Sequence, residues 1–228
     1  MYLRRSPDAM ACVFVLLPYR GPVMNNAPPL ILASQSPRRA QLLREAGFAF
    51  EQRSPPFADP DQPPGHLEGH EAEDYACALA VQKAESLAGE IDGSATILAA
   101  DTICVDAAGV LVGKPADRDH ARAMLRSFVG CDHRVLSGVA LMRIAVSGER
   151  SLDSFADTAV VTFGAVSDEQ LETYLATEDW QGKAGGYNLF DRQAAGWPIT
   201  VSGDPTTVVG LPMDRLVPML SASLHSGG

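Results

Sequence analysis

Short apolar stretches alternate with amphipathic segments along most of this chain. Residues 30–32 (LIL) predict a short buried strand, and the amphipathic segment that follows is typical of a helix that ends at Gly47. The longer run TILAADTICVD at 96–106 is apolar almost throughout, which is typical of a strand covered on both faces. Strands and helices are therefore mixed along the chain from its first elements onward.

The rest of the sequence continues this alternation. A loop rich in proline and aspartate is predicted at 51–69, and Ser167 with Gln170 forms a capping-box pattern before a helix. Two long strands at 133–146 and 154–166 are joined by a short polar connection that indicates a hairpin, which excludes a purely parallel sheet. The predicted helices cover 71–88, 117–128, 168–177 and 214–220, and a short strand covers 199–201. The predicted fold class is α/β, with an elongated, mixed, twisted sheet and flanking helices.

Composition limits the classes of function. The 228 residues, 46% of them apolar, are enough for one sizeable core, and the net charge of −10 argues against a general nucleic-acid surface, which needs a basic stripe. The four cysteines are widely spaced and form no CxxC pair, so neither a zinc site nor a disulfide framework is indicated. Reduced thiols are typical of a cytoplasmic protein, and we expect no membrane partner.

The segment before Pro29 is set apart from the rest. Its apolar run at 10–17 is too short to span a bilayer, and no small-residue cleavage site follows it, so a secretory signal is the less favoured interpretation. We expect residues 1–28 to be a disordered extension, or to result from a start codon assigned too early, with Met24 as the initiator. Residues 29–220 are expected to form one domain and 221–228 a flexible tail.

The motif SQSPRR at 34–39 carries the first candidate chemistry. Ser36 lies where an N-cap is expected and Pro37 suits the first helical position, so the helix begins with free N–H groups beside Ser34, Arg38 and Arg39. Backbone N–H groups, the positive end of the helix dipole and two guanidiniums together favour an anion with several oxygens. The alternative is an ordinary capped surface helix with two solvated arginines.

Five motifs in the same order, covering roughly 29–220, resemble the Maf family of nucleoside triphosphate pyrophosphatases: ASQSPRR, AADTICVD, VGKP, GKAGGY and VVGLPM. The resemblance implies a single catalytic domain with two lobes around a nucleotide cleft and a divalent cation, Mg²⁺ or Mn²⁺. It also implies hydrolysis of a nucleoside triphosphate to the monophosphate and diphosphate, which clears unwanted nucleotides. Two alternatives stay open: a nucleotide-binding regulator of septum formation with little turnover, and a phosphatase that removes the terminal phosphate. A homodimer is compatible with the resemblance.

Asp101 is the first candidate for catalysis. It interrupts an apolar strand, and a buried carboxylate is costly unless it is paired with a cation or a metal, although a structural aspartate fits this position equally well. By resemblance, Asp101 is the proton acceptor, a ligand of the divalent cation, or both. Asp59, where family members commonly have a glutamate, is a candidate second metal-binding carboxylate, and the alternative is an exposed turn residue. Lys83 and Lys114 match lysines that the family uses against the triphosphate, alongside Ser34, Ser36, Arg38 and Arg39.

The resemblance also assigns residues to the nucleotide pocket. Lys183 lies in the glycine-rich segment GKAGGY, and Arg38 and Thr102 match positions linked to base choice. Members that prefer dTTP and UTP have a glutamine where this chain has Phe190. A glutamine can pair with a pyrimidine edge, whereas a phenylalanine can only stack or fill space, so the resemblance does not fix the preferred base.

Two further polar residues, His133 and Ser137, lie within the long strand predicted at 133–146. A lone histidine beside a strand is more often structural than catalytic, and we place His133 in that class. No nucleophile elbow surrounds Ser137, so we expect its hydroxyl to bond to nearby backbone.

Overall fold

The computed structural model describes residues 28–60, 64–67 and 69–225, which form one seven-stranded mixed sheet. The strands are β1 Leu30–Ala33, β2 Glu51–Arg53, β3 Ala95–Val105, β4 Leu111–Val112, β5 Asp132–Ile144, β6 Arg150–Phe163 and β7 Ile199–Ser202. Their spatial order is β2-β1-β3-β5-β6-β7, with β4 paired to β3. Strand β1 runs parallel to β2 and β3, whereas every other pair is antiparallel. The predicted α/β class with a mixed sheet and flanking helices is confirmed.

Helices follow most of the strands. They are α1 Pro37–Glu45, α2 Glu71–Ala88, α3 Arg118–Phe128, α4 Asp168–Ala176, α5 Leu189–Ala194, α6 Pro205–Val209 and α7 Met213–His225. As predicted, Ser36 is the N-cap of α1 with Pro37 in its first turn, and Ser167 and Gln170 form a capping box on α4. The helix predicted at 71–88 matches α2 at both ends.

The structure differs from the sequence prediction in places where local pattern is weak. The predicted loop at 51–69 contains β2, whose polar, largely exposed EQR residues form a strand only because their backbone pairs with β1. Helices α5 and α6 are too short to show periodicity. Helix α7 continues through His225, whereas the sequence predicts its end near 220 and a tail from 221. Residues 226–228 and 1–27, the rest of the predicted tail and nearly all of the predicted extension, lie outside the described residues.

Two layers of helices cover the sheet around β3. Side chains of β1 alternate, with Leu30 and Leu32 packed in the cluster that contains α1 and α7, and Ile31 and Ala33 packed with α2. A separate aromatic cluster joins α3 and α4 to the far part of the sheet and includes Tyr187. These clusters therefore meet near the middle of β3, which contributes Leu98 and Ala100 to the first, Ala99 to the second and Cys104 to the aromatic one.

Gly138 on β5 allows α2 to approach this point closely. A Cβ built on Gly138 would lie 2.2 Å from the carbonyl carbon of Ala76, so only glycine fits between the helix and the strand. Gly138 is the register partner of Asp101, and the close approach brings the inner face of α2 next to that carboxylate.

Among the residues that the structure describes, no helix has both the length and the apolar character that spanning a bilayer requires.

Candidate functional site

A cleft of about 720 Å³ is lined by the start of α1, the middle of β3 and the glycine-rich segment after α4. Five basic side chains and two carboxylates line it, a formal charge of +3 within a chain whose net charge is −10. The lining basic and acidic residues are Arg38, Arg39, Lys83, Lys114, Lys183, Asp59 and Asp101. We call the part built from 33–39, Asp59, Lys83, 101–102 and Lys114 the charged wall, and the segment 181–189 opposite it the loop wall.

Lys83 joins the two carboxylates of the charged wall. Its Nζ forms an ion pair with Asp101 Oδ1 and lies 3.2 Å from Asp59 Oδ1. The side chains of Lys83 and Asp101 are each only 14% exposed, so this pair is largely withdrawn from water. One ammonium therefore holds a strand carboxylate and a loop carboxylate in the same place.

Asp59 is also within reach of a second lysine. Its Oδ2 lies 3.6 Å from Lys114 Nζ, and both side chains are 59% exposed. Burial acts to raise the pKa of Asp59, but the charges of Lys83 and Lys114 outweigh it and the pKa is lowered overall. The structure thus brings together Asp59, Asp101, Lys83 and Lys114 and pairs the two lysines with the two carboxylates.

Arg39 is held on several sides by neutral acceptors. Its Nε donates to Gly210 O (3.0 Å), its Nη1 to Ala100 O (2.8 Å) and Ser34 Oγ (3.2 Å), and its Nη2 to Thr102 Oγ1 (2.9 Å). Four bonds engage most of the donors of a guanidinium that has five N–H groups. Burial lowers the pKa of Arg39 while the charge of Asp101 opposes that effect. Arg39 is therefore a fixed cation of the site.

Arg38 projects differently and has no hydrogen bond or ion pair with the residues that the structure describes. Burial lowers its pKa, whereas the charge of Asp191, in α5 beyond the loop wall, acts to raise it. The start of α1 is also nearly satisfied, because the N–H groups of Ser36 and Arg39 donate to Ser34 Oγ and Ser36 Oγ. The Arg38 side chain and its N–H group are thus the parts of the SQSPRR motif that are available to an anion.

Glycines shape the loop wall. Gly182, Gly185 and Gly186 have φ values of 68°, 74° and 72°, which L side chains rarely adopt. Gly185 N–H donates to Gly113 O (3.1 Å), which ties the loop wall to the VGKP segment that carries Lys114. The GKAGGY and VGKP motifs are therefore joined through their backbones.

The aromatic cluster anchors the same segment from below. Tyr187 Oη lies 2.8 Å from His133 Nε2, and Tyr174 Oη donates to Gly186 O (3.0 Å). The His133 ring stacks on Phe128 with a centroid distance of 4.0 Å, and burial lowers the His133 pKa to about 4. His133 supports the loop wall as a neutral side chain, in keeping with its interpretation as structural.

Side chains of the loop wall that face the cleft carry few internal bonds. Lys183 Nζ donates to the Asp179 carbonyl, and its pKa is lowered by burial and by the charge of Arg38. Asn188 occupies the N-cap of α5 but makes no capping bond, and its amide has no hydrogen-bond partner among the described residues. The Asn188 amide and the remaining N–H groups of Lys183 are therefore available to a ligand.

Phe190 is not brought into the cleft. It is 45% exposed and lies outside the set of lining residues, whereas Leu189 and Asn188 belong to that set. The cause is local, because α5 begins at Leu189 and turns the next side chain to another side of the helix. Position 190, which the resemblance assigns to the nucleotide pocket, therefore lies outside the lining of the cleft in this structure.

Sequence reasoning missed Tyr75 and Phe57 as lining residues. Tyr75 lies on the inner face of α2, and burial, with smaller effects from Asp101 and Asp59, raises its pKa. The Phe57 ring lies under the Lys83 ammonium, 5.4 Å from centroid to nitrogen. Tyr75 was missed because periodicity alone assigns an aromatic residue on the inner face of a helix to the hydrophobic core. Phe57 was missed because it lies in a loop that has no hydrophobic periodicity.

Comparison with known proteins identifies the family to which the chain is similar. A family model described as Maf-like protein matches residues 29–223. A protein from Symbiobacterium thermophilum named dTTP/UTP pyrophosphatase is 41% identical over 192 residues, which are 84% of this chain and 92% of that protein. A protein of the same name from Salinibacter ruber is 38% identical over 202 residues, 89% of this chain and 94% of that one.

A solved structure gives a weaker similarity. It is a nucleoside-triphosphatase, or dITP/XTP pyrophosphatase, from Mycobacterium abscessus, and the match covers 60% of this chain and 75% of that one. Its TM-score of 0.34 at 14% identity is too low to support an argument.

Proposed function

Because this chain belongs to the Maf family, we propose that it hydrolyses nucleoside triphosphates between the α and β phosphates, releasing the nucleoside monophosphate and diphosphate. Such a reaction would remove unwanted nucleotides before polymerases use them. The observation that carries the proposal is the cleft charge of +3 in a chain of net charge −10, with the largely buried carboxylate of Asp101 among the cations.

The positive charge fits a triphosphate, whose charge at neutral pH is about −4. Arg38 and Lys183 repel each other, and neither forms an ion pair with a carboxylate among the described residues. A polyphosphate between them would relieve this repulsion and gain charge-assisted hydrogen bonds. Lys114, more than half exposed, is able to turn from Asp59 toward the same ligand.

Asp101 is suited to accept a proton. Its Oδ1 is held by Lys83, whereas its Oδ2 has no hydrogen bond with any described residue. A water beside Oδ2 would lose its proton to the carboxylate as its oxygen attacks the α phosphorus, and diphosphate would leave from the opposite side. Lys83, next to Asp101, would neutralise charge that develops on the phosphoryl oxygens.

The two carboxylates also fit a divalent cation. Asp59 and Asp101 converge on one ammonium, so they are close enough to share another cation. Mg²⁺ is usually bound by one or two carboxylates together with substrate phosphates, which matches a site with two protein carboxylates. We infer that Asp59 and Asp101 hold Mg²⁺ or Mn²⁺, and when bound this ion would offset phosphate charge and activate water.

The test is a nucleotide panel with Mg²⁺ or Mn²⁺ in which diphosphate and phosphate release are measured separately. The relatives are named for dTTP and UTP, so these two nucleotides come first, followed by the other canonical and several modified nucleotides. We expect diphosphate from one group of nucleotides. Phosphate release instead would indicate a terminal phosphatase, and tight binding without any release would indicate a nucleotide-binding regulator.

A further inference from the structure

A line of hydrogen bonds leads from Arg39 away from the cleft. Thr102 Oγ1, which accepts from Arg39 Nη2, lies 2.8 Å from Ser137 Oγ, and Ser137 Oγ donates to Thr207 O (2.8 Å). Ser137 is fully buried on β5, opposite Thr102 in the sheet register. The line therefore crosses from α1 through β3 and β5 to α6.

Donor counting fixes the direction of every bond in this line. A serine hydroxyl has one proton, and Ser137 gives it to the Thr207 carbonyl, so Ser137 can only accept from Thr102. Thr102 then donates to Ser137 and accepts from Arg39. Since the Thr102 proton is committed, Thr102 offers a ligand no donor, and its main contact with the site runs through Arg39.

The segment that ends this line also contacts Arg39 directly. Gly210 O accepts from Arg39 Nε, and a Cβ at Gly210 would lie 2.8 Å from that nitrogen and 3.1 Å from Thr102 Oγ1. Thr207 is itself fixed, because its hydroxyl donates to Asp157 Oδ2 (2.5 Å). The Arg39 guanidinium is thus bonded to the segment 207–210 twice, directly through Gly210 O and indirectly through Thr102 and Ser137.

We propose that Ser137 is a positioning residue for the triphosphate site, acting through Thr102 to hold the Arg39 guanidinium in place. This inference rests on the proposed function for the identity of the ligand. Aligned hydrogen bonds strengthen one another in a buried setting, and an unpaired buried hydroxyl is costly. Without the Ser137 hydroxyl, the Thr102 hydroxyl has to rotate toward another acceptor. This rotation disturbs the hydrogen bond that Thr102 accepts from Arg39 Nη2.

The experiment measures binding of tripolyphosphate and of dTTP by titration calorimetry, after circular dichroism has shown that each variant is folded. We expect Ser137→Ala to weaken binding of both ligands about tenfold, because the perturbed cation contacts phosphate and not base. Ser137→Cys keeps the volume with a poorer donor and acceptor, and we expect it to weaken binding in the same direction. The matched control is Thr96→Val on β3, whose buried hydroxyl has no partner among the described residues and should leave binding unchanged.

A double-mutant cycle with Thr102→Val separates positioning from general destabilisation. If Ser137 acts through Thr102, Ser137→Ala adds little further loss in the Thr102→Val background. Losses that multiply, or wild-type affinity in both Ser137 variants, would overturn the inference. Failure of the proposed function is distinguishable from failure of this inference. In that case the wild-type protein releases no diphosphate from any nucleotide, but its binding of tripolyphosphate still shows the coupling between Ser137 and Thr102.

Discussion

The charged wall and the loop wall face the same cleft but differ in how their side chains are engaged. In the charged wall, Lys83 pairs with two carboxylates and Arg39 makes four hydrogen bonds to neutral groups. In the loop wall, the Asn188 amide has no side-chain partner among the described residues, and the backbone is fixed from beneath by Tyr187 and Tyr174. Lys83 and Arg39 are therefore held by internal bonds, whereas the Asn188 amide of the loop wall stays available to a ligand, as the Arg38 side chain does.

The largest effect is expected from the charged wall, with Asp101→Asn. The amide cannot take the proton of the attacking water, so we expect kcat to fall by roughly 10²- to 10⁴-fold. Nucleotide affinity should change far less, because the cations remain. Diphosphate release in single turnover, together with calorimetric binding, measures both quantities. Retention of full turnover would remove Asp101 from the chemistry.

The second effect concerns the anchor of the loop wall. The His133 pKa is lowered to about 4 by burial, from a usual value near 6.5. Between about pH 6.5 and 4, His133 is protonated in the unfolded chain but stays neutral in the folded protein. The free energy of unfolding therefore decreases as the pH falls through this range. The full contribution is about 3 kcal/mol, and it is present only above that window.

His133→Phe keeps the stacked ring and removes the titration, so its unfolding midpoint should depend less on pH across this window. Denaturant unfolding at a series of pH values is the measurement, and His70→Gln at an exposed helix cap is the control. An identical pH dependence in His133→Phe and wild type would show that another group is responsible.

A smaller effect is expected from Asn188→Ala. We predict that the free amide contacts the nucleoside, so its loss should raise KM about five- to tenfold for the preferred nucleotide, the value of one hydrogen bond. The kcat should stay nearly constant, because the proposed mechanism puts the reacting phosphate against the charged wall and not against Asn188. Steady-state kinetics over several nucleotides would contradict this role if KM rose equally for all of them.

The smallest effect is expected from Phe190→Gln. In the Maf subgroup that prefers dTTP and UTP, the glutamine at this position suggests that the change would restore pyrimidine preference. Phe190 lies outside the cleft, so we expect the ratios of kcat/KM between nucleotides to change less than twofold. A clear shift toward dTTP or UTP would show that α5 rearranges when nucleotide binds.

Local signals explain what the sequence predicted well. The N-cap at Ser36 and the proline after it are determined by neighbouring residues, so the start of α1 could be placed correctly. Asp101 stood out because a charge interrupts an apolar strand, and the structure places it with Lys83 in the cleft. The strand and hairpin pattern was enough to predict a mixed sheet.

Contacts between distant segments explain what was missed. The local pattern of SQSPRR did not predict different contacts for the two arginines, but only Arg39 meets the carbonyls of Ala100 and Gly210. Ser137 was expected to bond to nearby backbone, and its acceptor is a carbonyl 70 residues away. Phe190 was assigned to the nucleotide pocket by its position in a motif. On the short helix α5 its side chain lies outside the lining of the cleft, and its contact with a nucleotide stays a prediction.

The bond from Arg39 to Gly210 joins residues 171 positions apart, and it has a consequence for synthesis on the ribosome. Strand β1 and helix α1 emerge early, but the guanidinium gains its last acceptor only when the segment around Gly210 has left the exit tunnel. The contacts of Arg39 are therefore completed only after another 171 residues have been synthesised, although the SQSPRR motif that carries this arginine is already made. A nascent or prematurely terminated chain that lacks the segment around Gly210 leaves Arg39 without this acceptor.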